Sequence, residues 1–170
     1  MRSLPGRFRY HPDPRATGAV VPSGDACELC GATPGELYVG PVFCLEEIVA
    51  LCLGCVASGR AATELDAVFT DVYSAPPDVP DEVIDEITRR TPGFLCWQQE
   101  HWMFHCGDGA AYLGRAGRAD LAGLPGVVAS LQADGVPEET VEVLSRDGDV
   151  TAQVFRCRHC GTHLAYLDCS

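Results

Sequence analysis

Apolar and polar residues alternate in short runs along this chain, a pattern that predicts short helices and strands joined by frequent turns. Residues 1–26 are rich in proline and show no regular period, so they are expected to be extended and irregular. The clearest helix covers 81–90, where apolar side chains recur at helical spacing at Val83, Ile84 and Ile87. The Thr-Pro-Gly sequence that follows is expected to end this helix.

Two strand candidates, 36–39 and 42–45, flank Gly40-Pro41 and are predicted to form a hairpin. The alanine-rich sequence after Cys55 is expected to be helical. In the second half of the chain, 110–114 is a strand candidate, and 121–132 and 138–144 are short helix candidates. The ranges 151–156 and 163–167 are predicted to be two strands that flank a turn. Helices and strands do not alternate regularly, so the predicted class is α+β.

The composition supports a core and makes the chain strongly acidic. Apolar residues are 46% of the 170 residues, enough to bury a core without relying on a metal ion alone. The formal net charge is −12, and all twelve basic residues are arginines. Because nucleic-acid binding requires clustered positive charge, this balance argues against a nucleic-acid partner. The densest basic group is expected to be solvated and comprises Arg2, Arg7, Arg9 and Arg15.

The sequence shows no targeting segment and no membrane span. Residues 1–14 have no apolar run after the first arginines, and no stretch approaches the roughly 18 apolar residues that a membrane helix needs. A cytoplasmic location is therefore predicted as the default. Thiols stay reduced in that compartment, which favours metal ligation over disulfides for paired cysteines.

Four of the ten cysteines form two Cys-x-x-Cys pairs, Cys27 with Cys30 and Cys52 with Cys55. Two such pairs can close a tetrahedral site of four thiolates around zinc. A turn at the first pair, a hairpin, and a second pair at the start of a helix are the successive elements of a treble-clef zinc finger. The dipole and free amides of a helix N-terminus also favour anionic thiolates. The sequence therefore predicts a structural zinc ion in a treble-clef-like module.

Other interpretations of these four cysteines fit less well. A thioredoxin-like redox pair at Cys52 and Cys55 needs a preceding βαβ unit, and none fits between residues 1 and 51. Nuclease chemistry in a ββα frame needs histidines, and the sequence has none between His11 and His101. A catalytic zinc needs a position for water, and four thiolates would fill the tetrahedron.

A third pair, Cys157 and Cys160, supplies half of a second metal site. Cys106 is the favoured third ligand, because the sequence His-Cys-Gly-Asp at 105–108 resembles a small turn that carries a thiolate. His105 is the chosen fourth ligand. Other candidates for the remaining positions stay open, namely Cys44, Cys96, His163 and Cys169. Two zinc ions per chain are therefore predicted.

Residues 96–106 hold both tryptophans, two histidines and two cysteines. A structural interpretation makes them a buried aromatic segment whose polar tips are hydrogen-bonded. The alternative is a metal-dependent enzyme that uses the second zinc site together with 96–108, in which Glu100 or His101 would transfer protons. No residue is assigned a catalytic role.

Motifs along nearly the whole chain resemble those of the CbrC family. Besides the three cysteine pairs, they lie at 8–14, 40–44, 69–71, 90–93, 97–100, 105–108 and 155–161, while 115–150 matches weakly. The family has no assigned biochemical function, and its name reflects an association with colicin tolerance in enteric bacteria. The resemblance implies a cysteine-rich bacterial protein in which Cys44 or Cys106 has a metal role.

Together these features predict a treble-clef-like zinc module packed on a small α+β domain that ends in a zinc-knuckle hairpin. The predicted divisions are an extended arm at 1–26, the zinc module at 27–69, a linker at 70–80 and an α+β region at 81–170. The predicted function is a zinc-binding structural or protein-interaction module, with another protein as partner, rather than an enzyme. Binding of a basic protein by this acidic chain is a further alternative.

Overall fold

The computed structural model describes residues 8–170, so Arg2 and Arg7 of the predicted basic group lie outside the described residues. Separate helices and antiparallel strands confirm the α+β class. Within the described part of the chain, no helix is both long and apolar enough to cross a membrane. The elements are β1 (Val20–Pro22), β2 (Glu36–Tyr38), α1 (Leu53–Ala57), α2 (Arg60–Glu64), α3 (Asp81–Arg90), β3 (Phe104–His105), β4 (Asp108–Gly109), β5 (Ala111–Ala116), a 3₁₀ helix (Arg118–Gly123), α4 (Val127–Ala133), α5 (Glu138–Glu142), β6 (Val150–Arg156) and β7 (His163–Cys169).

The largest sheet has the strand order β5–β6–β7, with both pairs antiparallel. Its central strand, β6, is buried from Thr151 to Phe155 because neighbouring elements cover both of its faces. Helix α4 packs on β7, where the Ser130 hydroxyl donates to the Ala165 carbonyl and accepts from its amide, both at 3.0 Å. The two strands at the end of the chain match the prediction, while the helix candidate at 121–132 is divided at Pro125-Gly126 into the 3₁₀ helix and α4.

The predicted hairpin between 36–39 and 42–45 is wrong. Strand β2 pairs with β1 instead, and Tyr38 makes a further bridge with Leu51. Phe43 bridges to Val68, far along the chain. After β2 the chain folds around the ring of Tyr38, whose hydroxyl donates to the Pro41 carbonyl at 2.6 Å. Proline also has no amide to donate to a strand ladder, so a hairpin at this position lacks a hydrogen bond.

Helix α3 has the bounds that its apolar stripe predicts. Val83 and Ile87 are buried, while acidic residues occupy its first turn and arginines its last turn, which suits the helix dipole. It ends before Pro92, as predicted.

Buried apolar side chains form three clusters. The first surrounds the four N-terminal cysteines, the second is aromatic, and the third lies between the large sheet and helices α4 and α5. Phe8 belongs to the first cluster and Tyr10 to the second, so the segment that starts at residue 8 joins the two. Members of the first cluster include Leu37, Tyr38, Leu51, Val56 and Phe69. Members of the second include Ile87, Phe94, Trp102, Tyr112 and Phe155. Members of the third include Leu121, Val127, Leu131, Val141 and Val154.

His11 is fully buried beside the aromatic cluster. Its Nδ1 lies 2.8 Å from the Pro92 carbonyl oxygen, and its Nε2 lies 2.7 Å from Thr17 Oγ1. Because a carbonyl can only accept, the neutral ring carries its proton on Nδ1 and Nε2 accepts from the threonine. Burial lowers the pKa of His11 to about 4.

Acidification is therefore expected to weaken the fold through His11. The unfolded chain binds a proton near the ordinary pKa of about 6.5, whereas the folded chain binds it near 4, so the stabilisation is complete above about pH 6.5 and is lost as the pH falls toward 4. Between pH 7 and pH 5 this residue should lower the free energy of unfolding by about 2 kcal/mol. Denaturation of wild type and His11→Asn at both pH values measures the difference. An equal loss in the two proteins would contradict the assignment.

Candidate metal centres

Two turns of the chain share one backbone geometry, 27–32 and 157–162. In each, the amide of the first cysteine donates to the carbonyl five residues later, and the amide four residues later donates to the carbonyl of that cysteine, at 2.8 to 3.1 Å. Gly31 and Gly161 have φ angles of +72° and +78°, in the left-handed region that glycine adopts without strain. The recurring Cys-x-x-Cys-Gly sequence therefore forms the same knuckle twice.

The second cysteine pair of the N-terminal half lies at the start of α1. Cys52 is the N-cap residue, with extended backbone angles, and its Sγ accepts from the Cys55 amide at 3.3 Å. The helix ends early because Gly59 has a φ of +74° and separates α1 from α2. A thiolate at Cys52 thus lies against free amides of a helix N-terminus.

The sulfur atoms of Cys27, Cys30, Cys52 and Cys55 all lie within 4.8 Å of one another. Cys27 Sγ is 3.9 Å from Cys55 Sγ, and Cys30 Sγ is 3.7 Å from Cys52 Sγ. A tetrahedron of thiolates at the usual Zn–S distance has an edge of about 3.8 Å, whereas a disulfide joins sulfurs at about 2.05 Å. All ten cysteines are free thiols. The separation therefore fits four ligands around an ion.

The four thiols cannot ionise independently. Burial alone would raise the pKa of Cys27, but backbone hydrogen bonds at Cys52, Cys30 and Leu29 outweigh burial and lower it to about 7. Burial raises the pKa of Cys55, and the neighbouring thiols raise it further. Because additional negative charge is unfavourable here, a cation at the centre would let all four thiols deprotonate.

A second cluster brings together the four residues predicted to form the second metal site, namely the two cysteines of the C-terminal knuckle and the pair His105 and Cys106. One ligand atom from each of His105, Cys106, Cys157 and Cys160 lies within 4.8 Å of the other three. His105 Nδ1 is 3.1 Å from Cys106 Sγ and 3.5 Å from Cys160 Sγ. A tetrahedral zinc site places nitrogen and sulfur ligands about 3.5 Å apart.

A tight hairpin positions the first two of these donors. Strands β3 and β4 pair Phe104 with Gly109 and His105 with Asp108, which leaves Cys106 and Gly107 as the turn. Both turn residues have positive φ, +55° and +68°, as a type I′ turn requires. A cysteine rarely adopts this conformation, and such backbone strain is concentrated at functional sites.

The two clusters differ in exposure. Three of the four cysteines of the first are buried, whereas Cys106 and Cys160 of the second are exposed and only Cys157 is buried. The hydroxyl of Thr162 lies 3.2 Å from Cys160 Sγ, and the hydroxyl and amide of Thr162 lower the pKa of Cys160 to about 6. The second cluster therefore forms a surface centre with one readily ionised thiol.

The other ligand candidates lie outside both clusters as the described residues define them. Cys44 Sγ is 3.0 Å from the Glu46 carbonyl oxygen, and His163 Nδ1 is 3.0 Å from the Pro125 carbonyl oxygen. Burial raises the pKa of Cys96 to about 12, which keeps it a neutral thiol and a poor nucleophile. The remaining candidate, Cys169, ends β7.

Two residues proposed for proton transfer line different cavities. Glu100 lies at a cavity beside Thr70, whereas the ring of His101 stacks on Tyr166 with centroids 3.9 Å apart and lines another cavity. Trp102 is fully buried with its Nε1 donating to the Ala110 carbonyl at 2.9 Å, but Trp97 is exposed. The aromatic segment is therefore buried only in part.

Asp108 ties the β3–β4 hairpin to the C-terminal knuckle, a role that the sequence did not reveal. Its Oδ1 accepts from Tyr10 Oη at 2.7 Å, and its Oδ2 accepts from Arg158 Nη1 at 2.6 Å and His159 Nε2 at 2.9 Å. Burial would raise the pKa of Asp108, but these hydrogen bonds and the charge of Arg158 lower it. The motif at 105–108 contains this residue, yet its partners come from distant segments.

The fold and these two centres define a small α+β protein with two cysteine-rich clusters, each offering four donors suited to a metal ion. The chain belongs to the family described as Uncharacterised protein family UPF0167, whose model matches residues 4–169. A UPF0167 protein of Mycobacterium bovis and one of Mycobacterium tuberculosis are each 44% identical to it over 173 residues, covering 95% of this chain and 92% of the relative. A UPF0167 protein of Pseudomonas aeruginosa is 34% identical over 163 residues, covering 91% of each chain.

The prediction of the CbrC family is wrong, because the matching family model and these relatives carry the UPF0167 name. Of the two cysteines for which the resemblance had implied a metal role, Cys106 lies in the second cluster, whereas Cys44 lies outside both clusters. No solved structure matches the chain.

Proposed function

We propose that this protein binds two zinc ions, which stabilise its fold and shape a surface that contacts another protein. The observation that carries the proposal is the spacing of the N-terminal thiols, 3.7 and 3.9 Å, against an expected zinc tetrathiolate edge of about 3.8 Å. Thiolate and imidazole donors favour zinc over magnesium or calcium, which prefer oxygen ligands.

Cys27, Cys30, Cys52 and Cys55 would hold the first ion. A knuckle, an extended segment bridged at Tyr38, and a second pair that caps α1 form a treble-clef-like order, although strand β1 replaces the predicted second strand of a hairpin. The chemistry supplied by the ion is a cross-link between segments that are distant in sequence. Since four thiolates fill a tetrahedral shell, this centre is proposed to be structural.

Cys106, Cys157, Cys160 and the Nδ1 atom of His105 would hold the second ion. This cross-link joins the β3–β4 hairpin to the turn between β6 and β7. Because two of its cysteines are exposed, the centre would also fix the shape of the surrounding surface. Four protein donors again leave no position for a reacting water, which favours a structural or interaction role over catalysis.

A basic protein is the partner that the charge favours. The net charge of −12 attracts cationic surfaces, and dissolved salt screens this attraction. The rate of association with a basic partner should therefore fall steeply as the ionic strength rises. An association rate independent of salt would argue against a basic partner.

Cobalt substitution tests the two proposed ligand sets. Co²⁺ in tetrahedral thiolate sites absorbs strongly in the visible range, and the position of the bands depends on the number of sulfur ligands. Titration of reduced apoprotein should give two tetrahedral sites. Cys55→Ser should alter the four-sulfur component, and Cys160→Ser the three-sulfur, one-nitrogen component. A weak spectrum typical of six-coordinate cobalt would overturn the proposal.

Replacement of Asp108 by asparagine is expected to weaken the second centre selectively. The asparagine amide cannot accept equally from Tyr10, Arg158 and His159, so the knuckle and hairpin lose their common anchor. Loss of such outer-shell support lowers metal affinity by about 10- to 100-fold. Competition with a chromophoric chelator measures this change. Asp120→Asn, which removes an ion pair with Arg146 elsewhere, is the matched control and should leave both affinities unchanged.

A further inference from the structure

A cavity of about 670 Å³ opens between the segment that follows α2 and the loop before β3. Its volume lies in the range of small-molecule sites, roughly 300–1,000 Å³. Phe43 stands at this cavity with 48% of its surface exposed. The apolar side chains Phe43, Val68 and Val72 line it, together with Thr70 and Thr88.

Two buried oxygen atoms of this lining lack hydrogen-bond partners among the described residues. Thr70 is 2% exposed and Glu100 is 7% exposed. Within the described residues, neither Thr70 Oγ1 nor Glu100 Oε1 has a partner, although both atoms are buried from solvent. The other carboxylate oxygen, Oε2, has a distant contact with Cys96 Sγ at 3.9 Å. Buried polar atoms are nearly always hydrogen-bonded, so two orphaned oxygens at one cavity indicate a missing partner.

The loop that carries Glu100 is fixed in place. The carboxylate of fully buried Asp168 accepts from the Trp97 amide at 2.9 Å and the Gln98 amide at 3.0 Å. The amide Nε2 of Gln99 donates to Asp71 Oδ2 at 2.7 Å. These bonds hold the backbone on both sides of the cavity, while the terminal torsion of Glu100 remains able to turn its oxygens.

The charge around the cavity is negative. Asp71 and Glu100 both line it, and neither forms an ion pair with an arginine or histidine in the part of the chain that the structure describes. Burial raises the pKa of Glu100 and the charge of Asp71 raises it further, and hydrogen bonds to its carboxylate from its own backbone amide and from Cys96 oppose this shift only in part. A bound cation would offset both effects, and it would satisfy an oxygen that is otherwise orphaned.

We propose that this cavity binds a small organic amine with an apolar body, whose ammonium group donates hydrogen bonds to Glu100 and Thr70. The apolar body would contact Val68 and Val72 and cover the exposed face of Phe43. This site is independent of the proposed zinc centres, because none of the eight proposed zinc ligands lines the cavity. Failure of one assignment would therefore leave the other untouched.

A set of isosteric probes tests the ligand class on the full, metal-loaded chain. The probes are 2-phenylethylamine, its neutral isostere 2-phenylethanol and the anion phenylacetate. Backbone amide chemical shifts measure affinity and location together. The amine should bind at least about 10-fold more tightly than the alcohol, with shifts concentrated in 68–72 and 97–100, and the anion should not bind.

Glu100→Gln keeps the shape of the side chain and removes its charge, so it should weaken amine binding by about 10-fold or more while leaving alcohol binding unchanged. Thr70→Val should also weaken amine binding, but by a smaller factor. Glu47→Gln changes an exposed glutamate outside the cavity and is the matched control. Equal affinity for amine and alcohol, an amine affinity unchanged in Glu100→Gln, or shifts centred on the cysteine clusters would each overturn the proposal.

Discussion

Replacing Cys27 with serine is expected to remove one metal ion per chain and unfold the core that surrounds it. Backbone hydrogen bonds lower the pKa of the Cys27 thiol to about 7, against the effect of burial. Cys27 also lies within a core that includes Leu37, Leu51 and Val56. Structural zinc contributes apparent binding free energies of about 10–16 kcal/mol, which is comparable with the whole stability of a small domain, about 5–15 kcal/mol. The free energy of metal binding that is lost with one ligand should therefore exceed the stability that local packing supplies.

Metal analysis and thermal unfolding under reducing conditions measure this effect. Cys44→Ser is the matched control, because Cys44 lies outside both clusters and its sulfur donates to the nearby Glu46 carbonyl. The control should keep its metal content and its melting temperature. If Cys27→Ser retained the metal content and melting temperature of wild type, a metal ion would not hold this core.

Replacing Gly93 with alanine is expected to destabilise the fold by about 3 kcal/mol or more. An added Cβ would lie 1.9 Å from the Phe69 carbonyl oxygen, which is backbone and cannot rotate away. The Phe69 amide is hydrogen-bonded to the Thr88 carbonyl at 2.8 Å, so this segment is held from its other side. The Gly93 amide donates to Tyr38 Oη at 3.1 Å. The substitution therefore forces apart the first two hydrophobic clusters where they meet.

Gly123→Ala is the matched control, because no atom lies within 4 Å of its added Cβ and its φ is not in the left-handed region. Alanine at such a position changes stability by less than about 1 kcal/mol. Chemical denaturation at a fixed zinc concentration compares the two variants. A loss of less than about 1 kcal/mol in Gly93→Ala would show that the contact relaxes easily.

Local patterns in the sequence were sufficient to predict several elements and the membership of both clusters. The stripe of Val83, Ile84 and Ile87 gave the bounds of α3 because an amphipathic helix is encoded within a few turns. The choice of Cys106 followed from a turn-like sequence, and the β3–β4 hairpin places Cys106 and its neighbour His105 beside Cys157 and Cys160. Such features depend on neighbours in sequence.

Features that depend on distant pairing were missed. Strand β1 ends at Pro22 and has only three residues, so its pairing with β2 left no periodic signal. The false hairpin at 42–45 arose because a Gly-Pro turn was read without the Tyr38 ring around which the chain folds. Asp108 and Asp168 anchor loops through partners more than 40 residues away, and a single sequence does not encode such contacts.

Native mass spectrometry of protein purified under reducing conditions tests the central claim most directly. Because each cluster offers four donors at tetrahedral spacing, the spectrum should show two zinc ions per chain. The Cys55→Ser and Cys160→Ser variants should each retain one. A wild-type chain that carries one zinc ion or none, at zinc concentrations that saturate known zinc fingers, would contradict the assignment of two structural centres.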